Sequence, residues 1–289
     1  MALKEFTEQY IGKKINSNIQ STGLADSMRP GTLSFLENIK FIEDIKRNEN
    51  IVAVFVREKD AGWLPDDIEA VVVESPKSEF FDVHNAYYKH HLHYKVNSIA
   101  SSAVIHPSAV IADNGVVIGE NTIIGAHTTI LGGVEIGNNT MIGPNCVIGY
   151  DGFHVYTDMD GIKRVVIHDG KVIIGNNVDI QATVTIDKGL MGRDTLIKDE
   201  CKIDNAVHIA HRSHIGSQTL IASGACVAGS VDVGRDVWIG PHAVIANRIS
   251  ICDNARVLIG SVVIRNIKRP INVSGNFAVE HIKHLKSQC

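Results

Sequence analysis

The chain of 289 residues has little of several things that would have settled its class at once. Aromatic residues make up 6% and prolines number seven. No apolar stretch approaches the roughly 20 residues needed to span a bilayer, which excludes a transmembrane helix. The N-terminus, MALKEFTEQYIGKK, lacks the apolar centre of a secretory signal. Positive charge is not in excess: the net charge is −4, so no global basic field argues for nucleic acid. The five cysteines, Cys146, Cys201, Cys226, Cys252 and Cys289, are scattered without the paired spacing of a zinc site or a disulfide framework. Most fall at or beside small inward positions, where a cysteine acts as a small hydrophobe. These absences together fit a protein of the reducing cytoplasm.

What the chain has is a beat of six. An aliphatic residue recurs at Ile118, Ile124, Ile130, Ile136, Ile142 and Ile148, and again at Ile174, Ile180 and Ile186. It then runs without slippage from Ile197 through Ile209, Val227 and Ile245 to Val263. The fourth residue after each is small or β-branched, as at Thr122, Thr128, Ser213, Thr219 and Ala225. A period of six is neither the 3.6 of a helix nor the 2 of one long strand. It marks a hexapeptide parallel β-helix, in which three hexads close one triangular coil of eighteen residues. Coils stack at about 4.8 Å, so residues eighteen apart lie above one another. The fold class expected is mainly β: a left-handed parallel β-helix with a small N-terminal α/β domain and a short C-terminal helix.

The beat divides the chain. Residues 1–100 do not carry it; VAVFV (52–56) and AVVVE (70–74) read as buried strands, and 78–89 as a helix bearing Phe80, Phe81 and His84. A junction falls at 98–103. The β-helix occupies 101–265, with an extra residue between Ile111 and Ile118 and two interruptions, at 150–171 and 187–196. Long loops on a rigid solenoid are favoured places for function. The tail, 266–289, is expected to include one helix, Phe277 to Lys286.

The segment KIDNAVHIAHRSHIG (202–216) carries three histidines. His208 and His214 end their hexads, whereas His211 is third in the Ile209 hexad, at an outward corner. Corners separate the three rings, so one zinc ion is not expected to gather them, and no metal site is expected elsewhere. Gly229 follows His211 by eighteen residues and Asn247 follows Gly229 by eighteen. A histidine stacked on a glycine N–H offers a base and an oxyanion donor, the pair that acyl transfer needs.

The chain resembles the UDP-3-O-(3-hydroxyacyl)glucosamine N-acyltransferases of lipid A synthesis. The resemblance rests on GTLSFLENIKF (31–41), DGF (151–153), KVIIGNNVDIQATVTIDKG (171–189), KIDNAVHIAH (202–211) and the final coils to SG (274–275). It implies that His211 is the general base, that Gly229 supplies the oxyanion donor, and that Asp204 orients the base or touches substrate. It implies also that Phe35, Asn38 and Phe41 hold a uracil, two rings stacking on the base. Three features depart from the family. Arg248 stands where a second histidine is usual, and arginine is a natural diphosphate ligand. A Met-rich wall is replaced by Ile259-Gly260-Ser261-Val262-Val263, and the tail is short.

The expected function is N-acylation of a nucleotide-linked amino sugar by a thioester. The departures favour a short acyl-CoA donor, and the alternative is the lipid A enzyme itself with a hydroxyacyl carrier protein. No bound cofactor is expected; acyl-CoA or acyl carrier protein is a co-substrate. A non-enzymatic β-helix scaffold is the competing class, and it would need neither His211 over Gly229 nor the Phe35/Asn38/Phe41 set. A homotrimer is expected, with active sites between subunits, because one smooth prism face offers no pocket.

Overall fold

The computed structural model describes residues 1–275; the expected tail helix and Cys289 lie outside them. Residues 98–273 form a left-handed parallel β-helix of two- to four-residue strands laid into three parallel sheets of eight, eight and nine strands. The register carries out the beat: Ile130 pairs with Ile148, and Ile209 with Val227, each eighteen residues on. The extra residue near Ile111 appears as a nineteen-residue step, Ile111 to Ile130. The first interruption separates Ile148 from Ile186, and the second Ile186 from Ile209, without disturbing the stack on either side.

The repeat positions do what their chemistry requires. The aliphatic residues fill the axis, nearly all 0–2% exposed between Ile118 and Ile221. The small inward residues both fit the corners and satisfy them. Thr122 Oγ1 donates to Gly137 O at 2.7 Å, Thr128 Oγ1 to Gly143 O at 2.6 Å and Ser213 Oγ to Ala228 O at 2.8 Å. Cys146 and Cys201 occupy the same positions, buried and free, and burial pushes the Cys201 thiol up to about 11.

The N-terminal domain is a four-stranded parallel sheet in the order β1 (Ser21–Thr22), β2 (Thr32–Phe35), β3 (Ile51–Val56), β4 (Glu69–Val72). Helix α1 (Leu3–Ile11) and helix α3 (Pro76–His91) cover one face and α2 (Ile42–Arg47) the other. Along β3, Ala53 and Phe55 join one core while Val54 and Val56 join the second. This is why the strand reads as an unbroken apolar run rather than an alternation.

The two interruptions of the β-helix are built into this domain. Tyr156 and Val166 from the first, and Leu190 and Met191 from the second, are buried in the same core as Leu33, Phe55 and Phe80. Helix α3 also binds the first excursion through polar groups. His84 Nε2 donates to Ile167 O at 2.8 Å, Asn85 Nδ2 donates to Val165 O at 2.9 Å, and Asn85 Oδ1 accepts from Ile167 N at 2.8 Å. The excursion is a hairpin, Val155–Thr157 against Lys163–Val165, whose return strand is held by α3. It thereby covers one corner of the prism.

Candidate active site

That corner is the one carrying His211. Register places His211, Gly229 and Asn247 in one column, two residues beyond the pairs Ile209–Val227 and Val227–Ile245. The column is close packed at its lower end: a Cβ added to Gly229 would lie 2.7 Å from His211 Cε1 and 2.8 Å from Nε2. The Gly229 N–H donates to no acceptor among the described residues. At several other corners the equivalent N–H is taken by a side-chain oxygen, as Glu120 N by Asn138 and Arg235 N by Asp253. An uncapped N–H beside an imidazole is the arrangement an oxyanion donor and base require.

His211 is not a solvated corner residue. The 150–171 excursion lies over it, with the ring of His154 at 5.7 Å and that of His168 at 5.3 Å between centroids, both edge-on. Gly152 is the point of closest approach, since a Cβ there would be 2.8 Å from His211 Cδ2 and 3.1 Å from His168 Nε2. Burial, followed by the neighbouring imidazoles and Arg212, pushes His211 down to about 3. Burial likewise takes His154 to about 4 and lowers His168. All three rings are therefore neutral near pH 7, and His211 holds a free lone pair as a base must.

His208 and His214 stand on two different sheets and do not approach one another. His208 Nδ1 bonds to Thr185 Oγ1 at 2.8 Å, and His214 Nδ1 lies 3.6 Å from Asp232. Asp204 is not placed beside His211 in the chain: the strand His208–Ile209 lies between their two corners. Its carboxylate caps turns, accepting from Asn205 N at 2.7 Å and Ser223 N at 3.1 Å. The orienting role expected for Asp204 therefore has no support within one subunit.

Beside the His211 column stands a second, Arg212, Ser230 and Arg248, each in the left-handed region with φ near 60°. These residues and Arg193 form one wall of a cavity of about 620 Å³, and Phe35 and Phe41 form part of the other. This volume is of the size that holds a small-molecule ligand. The cavity exists in one chain, where a smooth prism face was expected to offer no pocket; the head domain supplies the missing wall. Asp26 pairs with Arg212 and Arg193, drawing the head domain onto the β-helix. The Arg248 guanidinium sits 5.8 Å from the Phe41 ring centre and has no carboxylate partner among the described residues.

The three expected nucleotide contacts are not equivalent. Phe41 faces the cavity beside Arg248. Phe35 lines it too, but packs against Phe80 at 4.8 Å and Phe81 at 5.6 Å. Asn38 is exposed, lies outside the cavity wall, and uses its Oδ1 to accept from Lys40 N at 3.0 Å. Asn247 is exposed above Gly229. Sequence reasoning missed His154, His168, Gly152, Arg193 and Arg212. The available signal was the two interruptions, which bring the first four here.

Residues 115–150 match the bacterial transferase hexapeptide family (six repeats). Over 127 residues the chain is 39% identical to the UDP-3-O-acylglucosamine N-acyltransferase of Cupriavidus metallidurans, covering 43% of this chain and 34% of that one. It is also 39% identical over 132 residues to the probable mitochondrial UDP-3-O-acylglucosamine N-acyltransferase 2 of Arabidopsis thaliana, covering 46% and 43%. Over this segment the chain is similar to UDP-3-O-acylglucosamine N-acyltransferases. The match spans less than half the length of these curated relatives. Among solved structures, the UDP-N-acetylglucosamine acyltransferase of Campylobacter jejuni aligns at 24% identity and a TM-score of 0.48, over 59% of this chain and 68% of that one. Among the described residues, no helix is long and apolar enough to cross a membrane.

Proposed function

We propose that the protein is an N-acyltransferase whose acceptor is the free amine of a UDP-linked 3-O-acylglucosamine. The observation that carries this reading is the neutral, covered His211 ring packed on the uncapped Gly229 N–H, next to a cavity with aromatic and arginine walls. The amine attacks the thioester carbonyl, His211 takes its proton, and the Gly229 N–H holds the tetrahedral oxyanion. Collapse breaks the C–S bond, and the protonated His211 returns the proton to the leaving thiolate. Arg248 binds the diphosphate and Phe41 stacks on the base, with Phe35 behind it.

The relatives' names favour this acceptor, and with it the lipid A alternative, over a short-acyl sugar. The exposed aliphatics Ile259, Val262 and Ile264 offer a long acyl chain an apolar surface where the resembling family carries a Met-rich wall. The donor in this reading is a hydroxyacyl carrier protein. Three copies assemble in the cytoplasm, covering the exposed Ile123, Met141 and Leu220 that share one prism face.

The test is steady-state turnover of UDP-3-O-(3-hydroxymyristoyl)glucosamine with 3-hydroxymyristoyl carrier protein and, separately, acetyl-CoA. His211→Ala should lower kcat by about 10²–10⁴-fold while nucleotide binding persists, and His208→Ala and His214→Ala should do less. Wild-type turnover in His211→Ala under chemistry-limited conditions removes the base. A preference for acetyl-CoA returns the reading to a short-acyl transferase.

A further inference from the structure

A base that accepts a proton at Nε2 must carry its own hydrogen at Nδ1, and that N–H needs an acceptor. His211 Nδ1 is buried and without a partner, and Asp204 is at another corner. The excursion supplies one group with the matching need. His168 is 0% exposed, and its Nδ1 lies 2.9 Å from Val166 O. A carbonyl only accepts, so His168 Nδ1 carries the hydrogen and Nε2 is left as a lone pair. That lone pair is also buried without a partner. Two orphaned nitrogens on rings 5.3 Å apart are unusual in a packed interior.

We propose that His168, acting through its Nε2 lone pair, is the positioning residue that accepts the Nδ1–H of His211 and so directs the His211 Nε2 lone pair at the attacking amine. This rests on the acyltransferase reading above. The separation suits it: each nitrogen lies about 1.1 Å from its ring centre, so two imidazoles sharing a bond of about 3 Å have centres about 5.2 Å apart. The bond is not formed in the free chain, and a turn of the His211 ring makes it. Catalytic hydrogen bonds often tighten in this way when substrate binds.

When the amine proton moves to His211 Nε2, the resulting imidazolium keeps its Nδ1–H on the His168 lone pair, and no proton passes to His168. The other groups facing His211 are His154, His208 and Arg212, and the Asp187 carboxylate, whose Oδ2 lies by the same point of Gly152 as His211 Cδ2, stands 3.7 Å from His208 Nε2. His168 itself faces Asp151, Lys188 and Asp169, and Lys188 is paired with Asp151 at 3.0 Å. His84 and Asn85 hold the backbone of Ile167, so α3 fixes where His168 stands.

The experiment compares His168→Leu, His168→Gln and His211→Ala in the full chain, with the substrates named above. A glutamine can place a carbonyl oxygen where Nε2 stood; a leucine cannot. His168→Leu should lower kcat about 10- to 100-fold with both KM values unchanged, and His168→Gln should recover most of it. In a His211→Ala background, His168→Leu should cost nothing further. ¹⁵N NMR of the imidazoles in the free and acceptor-bound wild-type protein gives a readout independent of turnover. His211 should hold its hydrogen at Nδ1 once acceptor is bound, and should lose that preference in His168→Leu. Equal turnover of Leu and Gln variants, or an Nε2–H His211 in the bound wild type, overturns the proposal. A fully active His211→Ala instead overturns the acyltransferase reading beneath it.

Discussion

Gly229 is the residue with least room to change. A methyl group there would fall within 2.8 Å of two atoms of the His211 ring, and the ring is already held by the excursion on its other side. Gly229→Ala should therefore push His211 out of line and lower kcat at least 10²-fold, with the thermal midpoint nearly unchanged; kinetics and a melting curve on one preparation check both. The pairing of His211 with Gly229 was legible because an eighteen-residue coil turns sequence distance into contact. Asp204 does not meet His211 within one chain, because its seven-residue distance from His211 crosses a whole prism face. His154 and His168 could not be placed, since they sit in a segment that has left the period. Asn38 is a different case: its residue type suits a base edge, but its oxygen is engaged in starting the turn before α2.

At the scale of elements, the excursion 150–171 depends on α3. Asn85 makes two bonds to its return strand and His84 a third, and His84 also bonds to Thr22 Oγ1 at 2.6 Å in β1. Asn85→Ala leaves Val165 O and Ile167 N without these partners. The cost should be about 1–3 kcal/mol of local stability, read as faster hydrogen exchange at Ile167 while axial amides such as Ile209 keep their protection. Turnover should fall with it, because His168 follows directly on Ile167. The helix itself was visible in the sequence through Phe80, Phe81 and His84, which face the core as expected. That it grips an excursion some eighty residues away was not, because polar contacts of that range leave no periodic trace.

For the whole molecule, the buried and half-buried histidines set an acid limit. His84, His154, His168, His211 and His214 are all held below their ordinary value, by burial first. The unfolded chain protonates such groups near 6.5, so below that pH it binds more protons than the folded chain. The stability they contribute is complete above about pH 6.5 and is lost as pH falls toward about 4 for His154 and about 3 for His211. Each group steepens the loss by up to about 1.4 kcal/mol per pH unit. Urea midpoints should fall clearly between pH 7.5 and 5.0, and His154→Phe should shallow that slope; a flat wild-type profile removes the argument.

The shared core of the head domain has a consequence for how the chain can be cut or recombined. The sequence pattern changes near residue 100, but Tyr156, Val166, Leu190 and Met191 complete the core that begins with Leu3. A fragment ending at the pattern change would present a raw apolar face and lose the strand that α3 holds. A chimera made at that junction would mate one protein's head with another's loops. The piece that can be exchanged as a working part is discontinuous: the first hundred residues together with the two excursions, lifted from between coils that close without them.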